Sequence, residues 1–447
     1  MKININPPLL VLDILQKFKK AKYEIYIVGG VVRDAILNKP LYDWDLTTNA
    51  TPEQILETFP EGFYDNKFGT VGIRNGDERP IEITTFRTES GYSDNRHPDN
   101  ISWGETLEED LKRRDFTINA MAIDHNFELI DLYKGMDDLN NKLIRAVGNP
   151  KERFEEDALR MLRAVRIASQ LGFTVESTTL KAIQDNASSI KKISAERIHD
   201  ELLKMFGSPY PADGYLLLHN SGLGQELLPE MEATFGVEQK SPGRHHIFDV
   251  GTHSVESLRN CNSKDPITRF ATLIHDVGKA RTQKVLETGT ITFYNHEMES
   301  AKIAAKIADR FRFSNSQKDK FIRLVRWHQF TVDERQTDSA IRRFIRNVGL
   351  ENVTDMIALR VADRLGGGAR ATSWRLEEYK TRIEEVQQQP FSITDLKISG
   401  KDVMEIKKIT PGPMVGKYLQ AIFEEVEKGL PNEREILIPK LTELELH

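Results

Sequence analysis

Strand-like runs stop at about Pro150, and beyond that point the chain reads as almost continuous helix. A block of strands followed by a block of helices, rather than strict alternation, points to an α+β architecture or to separate domains. The strand-like runs are expected near the N-terminus, and the later segments are expected to be helical. At 447 residues, two to four domains are expected.

Within the strand-bearing part, Ile25–Val28 reads as a short buried strand broken by Gly29-Gly30, and Val31–Leu37 has helical apolar spacing. A second strand is expected to carry Asp43 and Asp45. Residues i and i+2 of a strand share a face, so two carboxylates would project side by side, and a bound cation is the usual remedy for their repulsion. Glycines at a helix start let backbone N–H groups wrap an anion, with Arg33 in reach. No Gly-Lys-Ser/Thr follows, so this is not a P-loop. The pattern suggests a phosphate pocket beside a metal site. Taken singly, a Gly-Gly turn and an Asp-x-Asp strand edge also fit a tight turn and a solvated edge.

Further along, a helix is expected from Pro8 through Phe18 and another over Thr51–Phe59, with Thr51 as N-cap and Pro52 at its first position. Val71–Ile73 and Ile81–Phe86 alternate as strands around Asn75-Gly-Asp77. Glu82, among apolar neighbours, either faces solvent or supplies a third carboxylate. Thr88–Glu105 is polar and aperiodic and reads as a long loop. Arg113-Arg-Asp115 enters an apolar stretch read as helical, which continues to Asn119. Arg160, Arg163 and Arg166 fall at i, i+3 and i+6 on one helix side, with Glu156 and Asp157 one turn earlier; alone, this reads as a solvated, ion-paired face. Ser194 is expected to cap another helix.

Ser241-Pro-Gly243 is the clearest linker, and Gly366-Gly-Gly368 reads as a flexible joint. Between them lie His245, His246, His253, His275, His296 and His328, six of the chain's eleven histidines. Adjacent His275-Asp276, with His253, His296, His328 and Asp363 from other helices, suits a divalent metal held by nitrogen and oxygen ligands. Four segments follow: 1–149, 150–240, 241–366 and 367–447. No apolar run approaches the roughly 20 residues of a membrane span, the N-terminus lacks a signal-peptide build, and the single Cys261 excludes an internal disulfide and a cysteine-based zinc site. A cytoplasmic location is expected. Net charge of −6 argues for a confined basic groove rather than general nucleic-acid coating.

Six ordered motifs together resemble the class II tRNA nucleotidyltransferase and poly(A) polymerase family. They are Gly29-Gly-Val-Val-Arg-Asp34 with Asp43-x-Asp45; Arg113-Arg-Asp-Phe-Thr-Ile-Asn-Ala-Met-Ala122; Asp131…Gly135…Asp137-Asp138; Glu156-Asp157-x-x-Arg160; and Ala195-Glu-Arg197 with Glu201. The resemblance implies an α+β fold: a polymerase-beta-like nucleotidyltransferase head with a small mixed sheet, then an all-helical neck and body, an HD domain and a tRNA-binding tail. Asp43 and Asp45 would hold Mg²⁺, with Glu82 as a further catalytic carboxylate. Gly29, Gly30 and Arg33 would cradle a triphosphate. Arg113, Arg114, Asp115 and Asn119 would contact the nucleotide, Asp115 through a ribose hydroxyl. The helix of Glu156, Asp157, Arg160, Arg163 and Arg166 would read the base, Asp157 accepting from the amino group of C or A and Arg160 donating to the ring.

The implied reaction is addition of CCA to the tRNA 3′ end from CTP and ATP, with no obligatory protein partner and no membrane. The polar stretch Thr88–Glu105 and the segment Asn66-Lys-Phe-Gly-Thr-Val71 favour full CCA addition; terminal-A addition and poly(A) synthesis are the rivals. Leu273-Ile-His-Asp-Val-Gly-Lys279 resembles HD-domain phosphohydrolases, implying Mg²⁺ or a divalent transition metal and hydrolysis of RNA-end phosphates. A rival reading takes that domain as the working part and the head as a degenerate RNA-binding module. Lys401, Lys407, Lys408 and Lys417 of the tail would contact tRNA phosphates.

Overall fold

In a computed structural model the described residues are 1–64, 69–76, 78–90, 100–104, 106–239, 248–330, 332–333, 335–387 and 393–445. The chain forms two compact units, residues 1–233 with 309–313, and residues 234–308 with 314–447.

The first unit is built on a seven-stranded mixed sheet. Its strands are β1 (Ile25–Val28), β2 (Asp45–Thr48), β3 (Phe63–Tyr64), β4 (Thr70–Asn75), β5 (Glu78–Thr85), β8 (Met121–Ile123) and β9 (Leu129–Asp131), and β6 (Arg87–Ser90) and β7 (Asn100–Trp103) pair separately. The order is β3-β4-β5-β2-β1-β8-β9, antiparallel except for β2 against β5. That parallel pair sets Asp45 opposite Glu82, while β1 sets Val28 opposite Asp45. The point where β1 ends at Gly29 is therefore also where two carboxylates converge.

Helix Leu107–Lys112 opens with a Thr106/Glu109 capping box and buries Leu107 and Leu111, one turn apart, against Val28, Phe86 and Ala122. Its packing delivers Arg113, the C-cap, and Arg114 to the edge of the sheet. Helices Leu159–Leu171 and Ala195–Phe206 pack on each other, and bury Leu162 and Val165 on the first and Ile198, Leu202 and Met205 on the second. The Arg166–Glu201 ion pair at 2.6 Å ties them together.

Several expectations change. Strand β2 begins at Asp45, so Asp43 precedes it; Asp43 is exposed and paired with Arg79 at 2.9 Å. The ends of the stretch expected as loop, Arg87–Ser90 and Asn100–Trp103, are hydrogen-bonded strands, and residues 91–99 and 105 lie outside the described residues. So do residues 66–68, the linker 241–243, His245 and His246. Arg113-Arg-Asp115 closes a helix instead of opening one, and a 3₁₀ turn, Thr117–Asn119, and strand β8 follow. The helix expected to run from Glu156 through Arg166 breaks at Asp157, whose extended backbone (φ −144°) separates Pro150–Glu156 from Leu159–Leu171. The Asp157 carboxylate accepts the Leu159 N–H at 3.0 Å, a local bond that competes with helix continuation. Thr51 does cap Pro52–Thr58, in a capping box with Gln54.

In the second unit, helices Val250–Arg259, Pro266–Ile274, His296–Arg310, Asn315–Trp327 and Val353–Gly366 carry or abut the histidines. Gly366 is not a joint: it ends a helix packed on Val250–Arg259, and a Cβ there would lie 2.6 Å from the Ser257 nitrogen. The C-terminal helices Gly400–Lys407, Pro413–Glu427 and Arg434–Glu443 close over their own apolar core, including Val403, Ile422, Phe423 and Leu437. Lys407 donates its ammonium to the carbonyls of Thr442 and Leu444, capping the last helix rather than standing ready for phosphate. No helix among the described residues is long and apolar enough to cross a membrane.

Candidate active site

A cleft of about 430 Å³ opens where β1, β2 and β5 meet the loop after helix Leu107–Lys112. Gly29, Gly30, Asp45 and Glu82 line one end, Arg113, Arg114, Asp115 and Asn119 the middle, and Asp157, Arg160, Arg163 and Arg197 the other end. With Arg87, six arginines face four carboxylates, a local positive surplus in a chain of net charge −6. Gly29 has φ +81° and ψ −144°, backbone that suits glycine, and a Cβ there would lie 3.3 Å from both Arg114 Nη1 and Asp45 Oδ2.

Asp45 stays exposed to the cleft, but the protein around it costs its carboxylate part of its hydration, and its carboxyl pKa is pushed up to about 6; Arg114 opposes the rise, and Glu82 and Asp43 add to it. A positive charge placed beside it would favour its ionised form. Arg114 bonds Asp110 at 3.3 Å, but its buried Nε has no hydrogen-bond partner among the described residues, a donor suited to an anion.

The far wall is a fixed lattice of charge-assisted bonds. Arg163 forks onto Asp115 Oδ2 through Nε (2.8 Å) and Nη2 (2.6 Å), and Asp115 Oδ1 accepts from the Phe116 N–H and from Asn119. Burial raises the Asp115 pKa, yet Arg163 and these hydrogen bonds hold it well below the carboxylate range. Asn119 in turn receives Arg33 Nη1 at 2.7 Å, and Arg33 also pairs with Asp34. Arg197 grips Asp157 at 2.6 Å, and Arg160 bonds Glu156 (2.5 Å) and the Arg113 carbonyl (2.9 Å).

The structure thus gathers Gly29, Gly30, Asp45, Glu82, Arg113, Arg114, Asp115, Asn119, Asp157, Arg160 and Arg163 in one cleft, with Arg33, Glu156 and Arg166 behind it as supports. Asp43 is turned outward to Arg79. Arg87 and Arg197 line the cleft without having been singled out as site residues; Arg197 lies in the Ala195-Glu-Arg197 motif, but nothing local to it reveals that it holds Asp157. Asp131 works in the fold, accepting the Gly135 and Met136 N–H groups at the start of a helix.

A second centre lies in the other unit. His253 Nε2 sits 3.1 Å from Asp363 Oδ1, and His275 Nε2 lies 3.3 Å from Asp276 Oδ2 and 3.7 Å from Asp363 Oδ1. His296 and His328 approach Asp276 Oδ1 at 3.2 and 3.5 Å. All four histidines and Asp276 are buried. The Nδ1 atoms of His275, His296 and His328 donate to the carbonyls of Thr272, Phe293 and Val325 at 2.7–2.9 Å. A carbonyl only accepts, so each Nδ1 carries a proton and each Nε2 is the ring atom turned toward the carboxylates. His253, His275 and Asp363 offer atoms within 4.8 Å of one another, as do His275, Asp276 and His328. Lys279 also contacts Asp276, at 2.6 Å. Burial pushes the His275 pKa down, but Asp276 and Asp363 outweigh it and lift it to about 10. A proton is held there by the same two carboxylates that would hold a metal.

A glycine turn, carboxylates on paired strands and an arginine-rich far wall thus share one cleft. Residues 25–145 match the poly A polymerase head domain, 172–235 the "Probable RNA and SrmB- binding site of polymerase A", and 283–441 a tRNA nucleotidyltransferase domain 2. The CCA-adding enzyme of Lactiplantibacillus plantarum is 34% identical over 95% of this chain and 93% of its own, and that of Ligilactobacillus salivarius 33% over 97% and 96%. The match to the Lactobacillus helveticus CCA-adding enzyme is 47% identical but spans 48% of this chain and 54% of that one. The crystal structure of the Bacillus stearothermophilus CCA-adding enzyme in complex with CTP superposes with TM-score 0.71 at 29% identity, covering 98% of each chain. The chain belongs to the CCA-adding enzyme family.

Proposed function

We propose that the head cleft adds C, C and A to the tRNA 3′ end from CTP and ATP without a nucleic-acid template. The tRNA 3′-hydroxyl oxygen forms a bond to the α-phosphorus, the bond to the β-phosphate oxygen breaks, and pyrophosphate leaves. One observation carries this reading: a single cleft joins the carboxylates Asp45 and Glu82, set opposite each other on paired strands, to a polar wall at Asp157 and Arg160. Asp45 and Glu82, with Asp43 after release from Arg79, would hold Mg²⁺. The Arg79 pair is surface-exposed and worth at most about 1 kcal/mol, so a cation can displace it. Bound there, the ion would supply Lewis acidity and a lowered hydroxyl pKa. Arg114 and the Gly29-Gly30 backbone receive the triphosphate. Asp157, immobilised by Arg197, accepts from the exocyclic amine shared by C and A, and Arg160 donates to the ring. All the acceptor positions of Asp115 are engaged by protein donors, so it serves as a positioning residue for Arg163 and Asn119 rather than a ribose contact.

Three tRNAs, ending at the discriminator base, at C and at CC, test this with CTP and ATP supplied singly or together. Completion of CCA on the first is the expected result; extension of the CC-ended tRNA alone would replace it by terminal-A addition. Asp45→Asn should abolish addition while tRNA affinity is kept.

The histidine-aspartate centre supports a second activity, metal-dependent hydrolysis of phosphate esters or 2′,3′-cyclic phosphates at RNA ends. Its observation is the buried His275 Nε2, without a hydrogen-bond partner among the described residues and flanked by two carboxylates. His253, His275, Asp276 and Asp363 would hold the first divalent ion, and His296 and His328 would help hold a second. Water oxygen would bond to phosphorus as one ester oxygen leaves with a proton. Asp276→Asn should remove hydrolysis and leave nucleotide addition intact. A cytoplasmic location fits the one buried, unpaired cysteine, Cys261.

A further inference from the structure

Beside the histidine-aspartate centre lies another cavity, of about 710 Å³, and the two share Gln329 and Arg360 in their walls. They differ in their carboxylates. The first cavity carries Asp276, Asp363 and Glu297; the second presents Arg360, Arg364 and Arg375, and no carboxylate among its described lining residues. Two aromatic rings complete it. Phe330 is held rigidly, 4.6 Å from the Phe344 ring and stacked on Tyr379 at 5.7 Å and 26°. Trp374, at the start of helix Trp374–Gln387, is 63% exposed, and the Arg375 guanidinium lies 5.2 Å from its ring.

Arg360 connects the cavities. Its guanidinium sits 5.6 Å over the Phe330 ring, and it donates to Asp363 Oδ2 at 3.1 Å. An anion bound in the arginine cavity is therefore one side chain away from a candidate metal ligand. Guanidinium forks match phosphate geometry, and an exposed indole gives a nucleobase a stacking face. A lone phosphate would use the arginines and leave Trp374 in water; an apolar ligand would use the rings and leave three cations desolvated. A ligand that alternates phosphate and base uses both.

We propose that this cavity is the subsite for the nucleotide preceding the terminal one of a single-stranded RNA 3′ end. The base stacks on Trp374, the phosphate is held by Arg364 and Arg375, and the terminal phosphate ester passes Arg360 to the histidine-aspartate centre. This rests on reading that centre as a phosphohydrolase, and it makes the centre prefer oligonucleotides to mononucleotides.

The test uses the full chain with Mn²⁺ and two substrates, an RNA tetranucleotide ending in 2′,3′-cyclic phosphate and, as the small ester, cytidine 2′,3′-cyclic phosphate, which has the same terminal ester and no preceding nucleotide. Trp374→Ala and Arg364→Gln should each lower the ratio of tetranucleotide to small-ester kcat/KM about 10-fold, through KM. Trp374→Phe should restore the ratio while losing the tryptophan quenching that the tetranucleotide produces. An unchanged ratio in both variants overturns the proposal. If the wild type hydrolyses neither substrate, the phosphohydrolase reading fails by itself, and the subsite is judged by anisotropy of the fluorescein-labelled tetranucleotide. Binding at least 10-fold weaker in the combined Trp374→Ala, Arg364→Gln, Arg375→Gln variant upholds the subsite, and equal binding overturns it.

Discussion

Gly29 shows how little room the head cleft leaves. Its backbone conformation costs a side-chain-bearing residue about 1–3 kcal/mol, and a methyl group there would press on Arg114 and Asp45 together. Gly29→Ala should therefore lower kcat for CTP and ATP incorporation by at least about 10-fold while the helical neck stays folded; near-normal kinetics would mean that the backbone relaxes without cost to the site. Arg197 acts at the opposite end. Removing it leaves Asp157 without its two guanidinium bonds, a loss of about 1–3 kcal/mol for a charge-assisted pair. The expected result for Arg197→Ala is a roughly 10-fold fall in kcat/KM for CTP and ATP, with UTP misincorporation rising relative to CTP. Equal losses for CTP, ATP and UTP would show that Arg197 supports the fold and not the reading of the base. Neither effect is visible in local sequence: Arg197 lies 40 residues from Asp157, and a single sequence says nothing about which acid an arginine finds.

Among elements, helix Ser177–Asn186 offers a titratable cap. Glu176 is its N-cap, accepting from the Thr179 N–H at 2.8 Å and from the hydroxyls of Thr178 and Thr179. Desolvation works against the charged carboxylate, but those hydrogen bonds hold its pKa down at about 2. A depressed carboxylate pKa stabilises the folded state fully above the unfolded value near 4.5, and the stabilisation is lost as pH falls toward 2. Glu176→Ala should cost about 1 kcal/mol in urea unfolding at pH 7, and the gap from wild type should shrink as pH falls from 5 to 3. A gap independent of pH would assign the effect to packing. Element types were largely legible in advance, because capping residues and apolar spacing act within a few residues; Thr51 and Pro52 are one instance. The break at Asp157 and the strand pairing of Arg87–Ser90 with Asn100–Trp103 were not legible. The first depends on a side-chain bond winning over helix continuation, and the second on a partner ten or more residues away.

At the scale of the whole molecule, two polar centres occur in two units, and each should answer to its own ligand. A divalent ion that binds the folded histidine-aspartate centre adds about 2.7 kcal/mol at 100 times its Kd. Mn²⁺ or Ni²⁺ should raise the Tm of the transition belonging to residues 234–308 and 314–447, and the rise should vanish in His275→Ala. An equal rise in that variant would place the metal elsewhere. The chain alone determined the family, through motifs whose residue types and order survive without coordinates, and with it the α+β plan: one glycine turn, one acidic pair, one arginine helix, one His-Asp step. These are short-range facts. What only the tertiary structure decided is which groups meet. Parallel pairing of β2 with β5 set Glu82 beside Asp45, an exposed ion pair joined Asp43 to Arg79, and helix packing brought His253 to Asp363 across 110 residues. Register, ion pairing and packing are non-local, and no window of sequence contains them.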